Sequence, residues 1–244
     1  ICRRTLSAEE IGEAARFVKS ISPDTFVVVD NCYGEFTETV EPAALGADMM
    51  IGSLIKNAGG GMADIGGYIA GTERAAELAG NRLVCPGVGL EVGASLGQTR
   101  NILKGLFYAP HTTAQALKAA HLAAYIFDSL GYAVSPAPGE DRYDIIQTVT
   151  LGSPEGMVRF CRGIQCASPI DSYVIPEPWD MPGYDDPVVM AAGAFTGGSS
   201  IELSADGPMR EPYTAFMQGG LTYESARYGV MCAAAYCIGN DDER

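Results

Sequence analysis

The sequence predicts an α/β protein built on a mostly parallel sheet with helices on both faces. Strand-like apolar runs alternate with helical patterns through the first half of the chain, which is the signature of a parallel sheet. Two of those runs end abruptly in chemistry-bearing residues. Phe26-Val27-Val28-Val29 ends in Asp30-Asn31-Cys32-Tyr33, and a second run ends in Ser53-Leu54-Ile55-Lys56-Asn57. A third observation is the ordinary globular composition, with 47% hydrophobic and 19% charged residues over 244 positions, enough for a sizeable core.

Each element has its own signal. Ser7-Ala8-Glu9-Glu10 is a capping-box pattern, and Ile11, Ala14, Ala15 and Val18 follow at helical spacing as far as Ser22-Pro23-Asp24. A buried strand is expected over 26–30, a short helix near 41–45, and strands over 48–52 and 66–70. Thr72 caps a helix over 73–79. Long helices are expected over 91–105 and 111–130, the second ending at Gly131. Pro136, Pro138 and Gly139 then mark a join, dividing the chain into 1–130 and a smaller α+β domain over 131–244. There, a strand over 144–151 precedes a helix with Ser153 as N-cap and Pro154 at its first position, running to about 165. Strands over 191–195, 199–203 and 213–218 follow in hairpin order, and Thr222 caps a last helix through 235.

Composition excludes several function classes. The formal net charge is −14, with no lysine or arginine run, so neither nucleic acid nor an anionic membrane is the expected partner. Seven cysteines include Cys161-x4-Cys166 and Cys232-x4-Cys237 but no C-x-x-C, which removes zinc-ribbon and dithiol readings. With His111 and His121 the only histidines, no metal site is expected. Free thiols fit a reducing cytoplasm, and no apolar stretch approaches the ~20 residues that span a bilayer. The first residues lack a signal peptide's apolar core. Because the chain starts at Ile1 and runs straight into a helix signal, a piece of a longer protein is expected.

Asp30 and Lys56 define the candidate site. Both follow strands, at the carboxyl edge where such sheets bind ligands. A partly desolvated lysine is a usable amine nucleophile for a carbonyl. An aspartate held against a pyridine nitrogen keeps that ring protonated and able to accept electrons. Ser53, three residues before Lys56, suits a phosphate ester. Ser53-x-x-Lys56 also matches the S-x-x-K of penicillin-recognising acyltransferases, but S-D-N and K-T-G are missing. The 59–61 glycines lack the G-x-x-x-x-G-K-[ST] pattern, and Gly87, Gly89 and Gly93 miss dinucleotide spacing. They read as turn and close-approach positions.

The stretches Val29-Asp30-Asn31-Cys32-Tyr33-Gly34-Glu35-Phe36, Gly46-Ala47-Asp48 through Lys56-Asn57-Ala58-Gly59-Gly60-Gly61, and Glu177-Pro178-Trp179-Asp180-Met181-Pro182-Gly183-Tyr184-Asp185-Asp186 point further. So do Glu202-Leu203-Ser204-Ala205-Asp206-Gly207-Pro208-Met209-Arg210 and Gln218-Gly219-Gly220-Leu221-Thr222-Tyr223-Glu224. Together they resemble the methionine γ-lyase/cystathionine β-lyase-like family associated with aluminium resistance, within the aspartate-aminotransferase superfamily of pyridoxal-phosphate enzymes (fold type I). The resemblance covers essentially the whole chain.

It implies that Lys56 forms a Schiff base with pyridoxal 5′-phosphate and later moves the substrate's Cα proton. Asp30 would pair with the pyridinium nitrogen, Cys32 pack beneath the ring, Tyr33 reach the ring hydroxyl and Ser53 the phosphate, with Asn57 completing the cofactor set. Cys32 departs from the alanine or threonine usual in the superfamily. Arg210 is the candidate clamp for a substrate α-carboxylate, because guanidinium matches carboxylate bidentately; the alternative is a surface arginine. Asp180, Asp185 and Asp186 read as part of a proline-rich lid or interface loop rather than a calcium site, with Trp179 and Tyr184 packing it down. The implied reaction is β- or γ-elimination of a thiol from a sulfur-containing amino acid by a homodimer or homotetramer. The resemblance also implies a phosphate loop and a stacking aromatic N-terminal to this chain. Two other readings stay open: a non-catalytic scaffold of the same fold with a structural or stress-resistance role, and an aminotransferase.

Overall fold

In the computed structural model, which describes residues 4–85, 87–91, 93 and 95–239, helix α1 (Ala8–Ile21) starts on the predicted capping box. Ser7 Oγ accepts the Glu10 N–H at 3.1 Å and the Glu10 carboxylate accepts the Ser7 N–H at 2.9 Å, satisfying two donors that a helix end leaves open. The chain's first three residues, on which the leader and fragment expectations bear, lie outside the described residues. Two compact units divide between Pro110 and His111.

The first unit holds strands β1 (Val28–Asp30), β2 (Met49–Ser53) and β3 (Gly67–Gly71) in the order β1-β2-β3. The sheet is mixed rather than mostly parallel. β1 runs parallel to β2, with Asp30 opposite Ile51, but β3 returns antiparallel, with Gly67 opposite Ser53. The reason is the connection. Residues 54–66 contain only the short 3-10 turn Asn57–Gly59, whereas a parallel return needs a crossover, usually a helix. β1 is also an edge strand with Val28 and Asp30 exposed, not the buried strand its apolar run suggests. Lys19 pairs with Asp48 at 2.8 Å, and Asp48 accepts the Val27 N–H at 2.7 Å, fixing the start of both parallel strands.

Helix α2 (Glu73–Leu83) begins at its predicted cap, Thr72. Helix α3 (Thr99–Ser129) is one helix where two are predicted, and it continues through Pro110. An internal proline removes one N–H and bends a helix without necessarily ending it. The predicted start at 91 fails because Gly93 and Gly97 adopt positive φ; residues 92 and 94 lie outside the described residues. Although α3 is 31 residues long, no described helix is long and apolar enough to cross a membrane.

The second unit adds β4 (Ala133–Ser135), β5 (Gln147–Thr150), α4 (Pro154–Cys166), β6 (Val188–Ala191), β7 (Ser204–Pro208), β8 (Thr214–Gln218) and α5 (Tyr223–Cys237). Ser153 and Thr222 cap α4 and α5 as their positions predict. The strands form one antiparallel sheet in the order β4-β5-β8-β7-β6. Hairpin order holds, but β6 starts three residues early and β7 five residues late against expectation. Residues 199–203 form bends instead, because the Glu202 carboxylate accepts the Phe195 and Thr196 N–H groups and folds that segment back. Phe127, Met157, Phe160, Ile164, Val189, Met217 and Val230 form the fully buried core. α4 and α5 meet almost backbone to backbone, since a Cβ on Gly163 would stand 2.4 Å from Ala233 Cα.

Candidate functional site

The site is assembled at the carboxyl ends of β1 and β2. Their parallel pairing places Asp30 and Ser53 at one sheet edge, and the chain turns after Ser53 to bring Lys56 back over it. Asp30 Oδ1 accepts the Cys32 N–H at 3.1 Å, the short-range turn typical of aspartate. Lys56 is half-buried, with its Nζ 4.4 Å from the centre of the Tyr33 ring, within cation–π range. Burial, and then a hydrogen bond to Asp30, raise the Cys32 thiol above its ordinary value, while the Lys56 charge and the Ser53 backbone oppose the shift. The thiol thus lies among Asp30, Ser53 and Lys56. Asp30, Cys32, Tyr33, Ser53, Lys56 and Asn57 all belong to the first unit.

Asn57 is fully buried, and its amide donates to the Tyr33 and Glu35 carbonyls at 3.0 and 3.1 Å. It clamps the turn carrying Tyr33. The glycines after it act as close-approach positions. A Cβ on Gly59 would lie 1.6 Å from the Leu54 carbonyl, and one on Gly60 would lie 2.3 Å from the Gly105 carbonyl of α3. Backbone therefore rests directly on backbone beneath the lysine.

Arg210 lies in the second unit, exposed, with its guanidinium 3.2 Å from Asp186. Trp179 and Tyr184 do not pack their loop down; both are more than half exposed. That loop is tied by paired backbone bonds between Trp179 and Val188. Between them the chain doubles back through a turn in which the Tyr184 N–H donates to the Met181 carbonyl, so main chain closes the loop without aromatic anchors. Among the described residues, no group of three or more His, Cys, Asp or Glu side chains is arranged to hold a metal ion.

One residue has no explicit role in the sequence reading: Glu35, 3% exposed. It accepts the Tyr68 hydroxyl at 2.9 Å. Burial, aided by the Glu41 charge and opposed by the Tyr68 hydroxyl and local backbone, pushes its carboxyl up to about 7. Burial and Glu35 in turn raise the Tyr68 phenol. The signal available in sequence was only its place in Tyr33-Gly34-Glu35-Phe36, four residues from the rest of the polar cluster's nearest member, Asn31.

Comparison with known proteins gives a consistent picture. The chain is 49% identical over 228 residues to an uncharacterized 33.9 kDa protein from the glnA 5′ region of Lactobacillus delbrueckii subsp. bulgaricus, covering 93% of this chain and 74% of that one. It is 49% identical over 232 residues to the uncharacterized protein YnbB of Bacillus subtilis, covering 95% of this chain and 55% of YnbB. Among solved structures, a carbon-sulfur lyase involved in aluminum resistance from Clostridium novyi NT superposes with a TM-score of 0.92 at 50% identity, over 97% of this chain and 55% of that one. The chain thus spans little more than half of YnbB and of the Clostridium protein. The methionine gamma-lyase family model matches residues 1–238, and the chain therefore belongs to that family.

Proposed function

We propose that the protein is a pyridoxal-phosphate-dependent carbon–sulfur lyase that eliminates a thiol from the β or γ carbon of a sulfur-containing amino acid. The observation that supports this most directly is the gathering of Asp30, Ser53 and Lys56 at the ends of two parallel strands, with Tyr33 against the lysine. Family membership and likeness to a carbon-sulfur lyase support it further.

The donor set suits the cofactor chemically. Lys56 offers an amine for an aldehyde, Asp30 a carboxylate for a ring N–H, and Ser53 a hydroxyl for a phosphate. When bound, pyridoxal phosphate supplies a ring that accepts the electrons of a substrate carbanion. Lys56 Nζ would take the Cα proton, and the Tyr33 ring would hold the resulting ammonium by cation–π attraction. The Asp30 carboxylate would pair with the ring nitrogen and favour its protonated form. Arg210, 3.2 Å from Asp186, is the candidate guanidinium for a substrate carboxylate. The same reading places the protein in the cytoplasm, with a part in aluminium resistance.

The test is to add pyridoxal phosphate to the purified full-length protein. A visible absorbance band absent from Lys56→Ala is expected, together with release of thiol, keto acid and ammonia from sulfur amino acids without an amino acceptor. A colourless protein would refute cofactor binding. Keto acid formed only with an acceptor would indicate an aminotransferase.

A further inference from the structure

Glu35 sits beneath the lysine turn in a closed polar network. Asn31 Nδ2 donates to the Glu41 carboxylate at 2.9 Å and to the Tyr68 hydroxyl at 3.5 Å, and that hydroxyl donates to Glu35 Oε1. The second Glu41 oxygen accepts the Phe36 N–H at 2.9 Å. Asn57 holds the Tyr33 and Glu35 carbonyls from the other side. Space for the carboxyl comes from β2, where a Cβ on Gly52 would lie 2.6 Å from Glu35 Oε1 and 2.5 Å from the Tyr68 ring.

The network encloses two strained positions. Tyr33 and Phe36 have φ of 71° and 61°, a conformation that bulky side chains keep only where their surroundings over-determine it. Tyr33 is the residue whose ring meets Lys56. Among the described residues, Glu35 Oε2 and Asn57 Oδ1 are buried without a hydrogen-bond partner. Unsatisfied buried polar atoms add nothing to stability, so such a cluster is costly if its only purpose is packing.

We infer that Glu35 is a positioning residue for Lys56: its carboxyl, holding the Tyr68 hydroxyl on one side and the 33–36 backbone on the other, locks the turn that presents Tyr33 to the lysine and Cys32 to the cofactor side of the site. This inference rests on the proposed role of Lys56. Glu35 itself stays beneath the turn and reaches the site through Tyr68 and the 33–36 backbone.

The test compares Glu35→Ala and Glu35→Gln in the full-length protein with two readouts. The first needs no cofactor: alkylation of Cys32 by iodoacetamide, mapped by mass spectrometry, with exposed Cys85 and buried Cys161 as references. The second is titration of the visible band with pyridoxal phosphate. Glu35→Ala should speed Cys32 alkylation and weaken cofactor binding, each by about fivefold, the equivalent of one hydrogen bond of about 1 kcal/mol. Cys161 should stay protected, and Glu35→Gln should restore both readouts. A folded Glu35→Ala that matches wild type in both, or a Glu35→Gln as impaired as alanine, overturns the inference. If Glu35→Ala does not fold, Tyr68→Phe takes its place, with faster Cys32 alkylation expected and an unchanged rate overturning the inference. A colourless wild type, or a band retained in Lys56→Ala, would sink the proposed cofactor role of Lys56 alone, because Cys32 alkylation reads the turn independently.

Discussion

Glu35 ties the chain's stability to pH in a way that can be signed. Its ordinary value is 4.5, and the folded chain raises it to about 7. Between those values the folded protein keeps a proton that the unfolded chain has lost, so stability falls as pH rises through this window and levels off above it. The full effect is at most about 3–4 kcal/mol, from about 1.4 kcal/mol per unit. Urea titrations across the window should show that slope in wild type and a shallower one in Glu35→Gln. Asp206, also raised by burial, contributes in the same direction in both proteins and leaves the comparison intact. At this scale the gathering of Asp30, Ser53 and Lys56 at one sheet edge was legible, since each follows an apolar run that ends there. Glu35 was not. Its character comes from burial beneath Tyr68, thirty-three positions along the chain, and burial is a property of the tertiary fold. The exposure of Trp179 and Tyr184 escaped the sequence reading for the same reason.

Elements whose limits are set locally were read well. The caps at Ser7, Thr72, Ser153 and Thr222 each bond the N–H three residues on, so a four-residue window holds the needed information. Strand direction is a different matter. β3 pairs antiparallel because its connection lacks a crossover helix, and an apolar run looks the same in either direction. The contact of α3 with the 59–61 turn yields a packing prediction. A Cβ on Gly105 would stand 2.1 Å from the Gly59 carbonyl. Gly105→Ala should therefore cost about 2–3 kcal/mol, within the range of overpacking, and lower the melting temperature by roughly 5–10 °C for a chain of this size. Gly197, with open space around it, provides the control. Gly197→Ala should fall within about 0.5 kcal/mol of wild type in the same thermal scans.

For the whole molecule, the α/β class and the membership of one family were legible, because long specific stretches spread across the chain carry them. In the antiparallel five-stranded sheet beyond residue 131, the hairpin order of the last three strands was legible, but β4 was not expected, and the limits of β6 and β7 depend on how Glu202 folds back the segment between them. Several large apolar side chains remain exposed on the first half of α3, including Leu103 and Phe107 at 61% and 79%. Contiguous exposed apolar surface favours association. We propose that the full-length protein is a homodimer or homotetramer; light scattering that reports a monomer at working concentrations would count against that assembly. The bare contact beneath Lys56 also bears on how this site can change over generations. With only main chain between the lysine turn and α3, no longer or shorter side chain is available there to raise or lower the amine. Saturation mutagenesis should return little but glycine at 59, 60 and 105, where a Cβ would meet main chain within 2.3 Å; on the proposed role of Glu35, variation that adjusts the lysine turn is left to residues 35, 57 and 68.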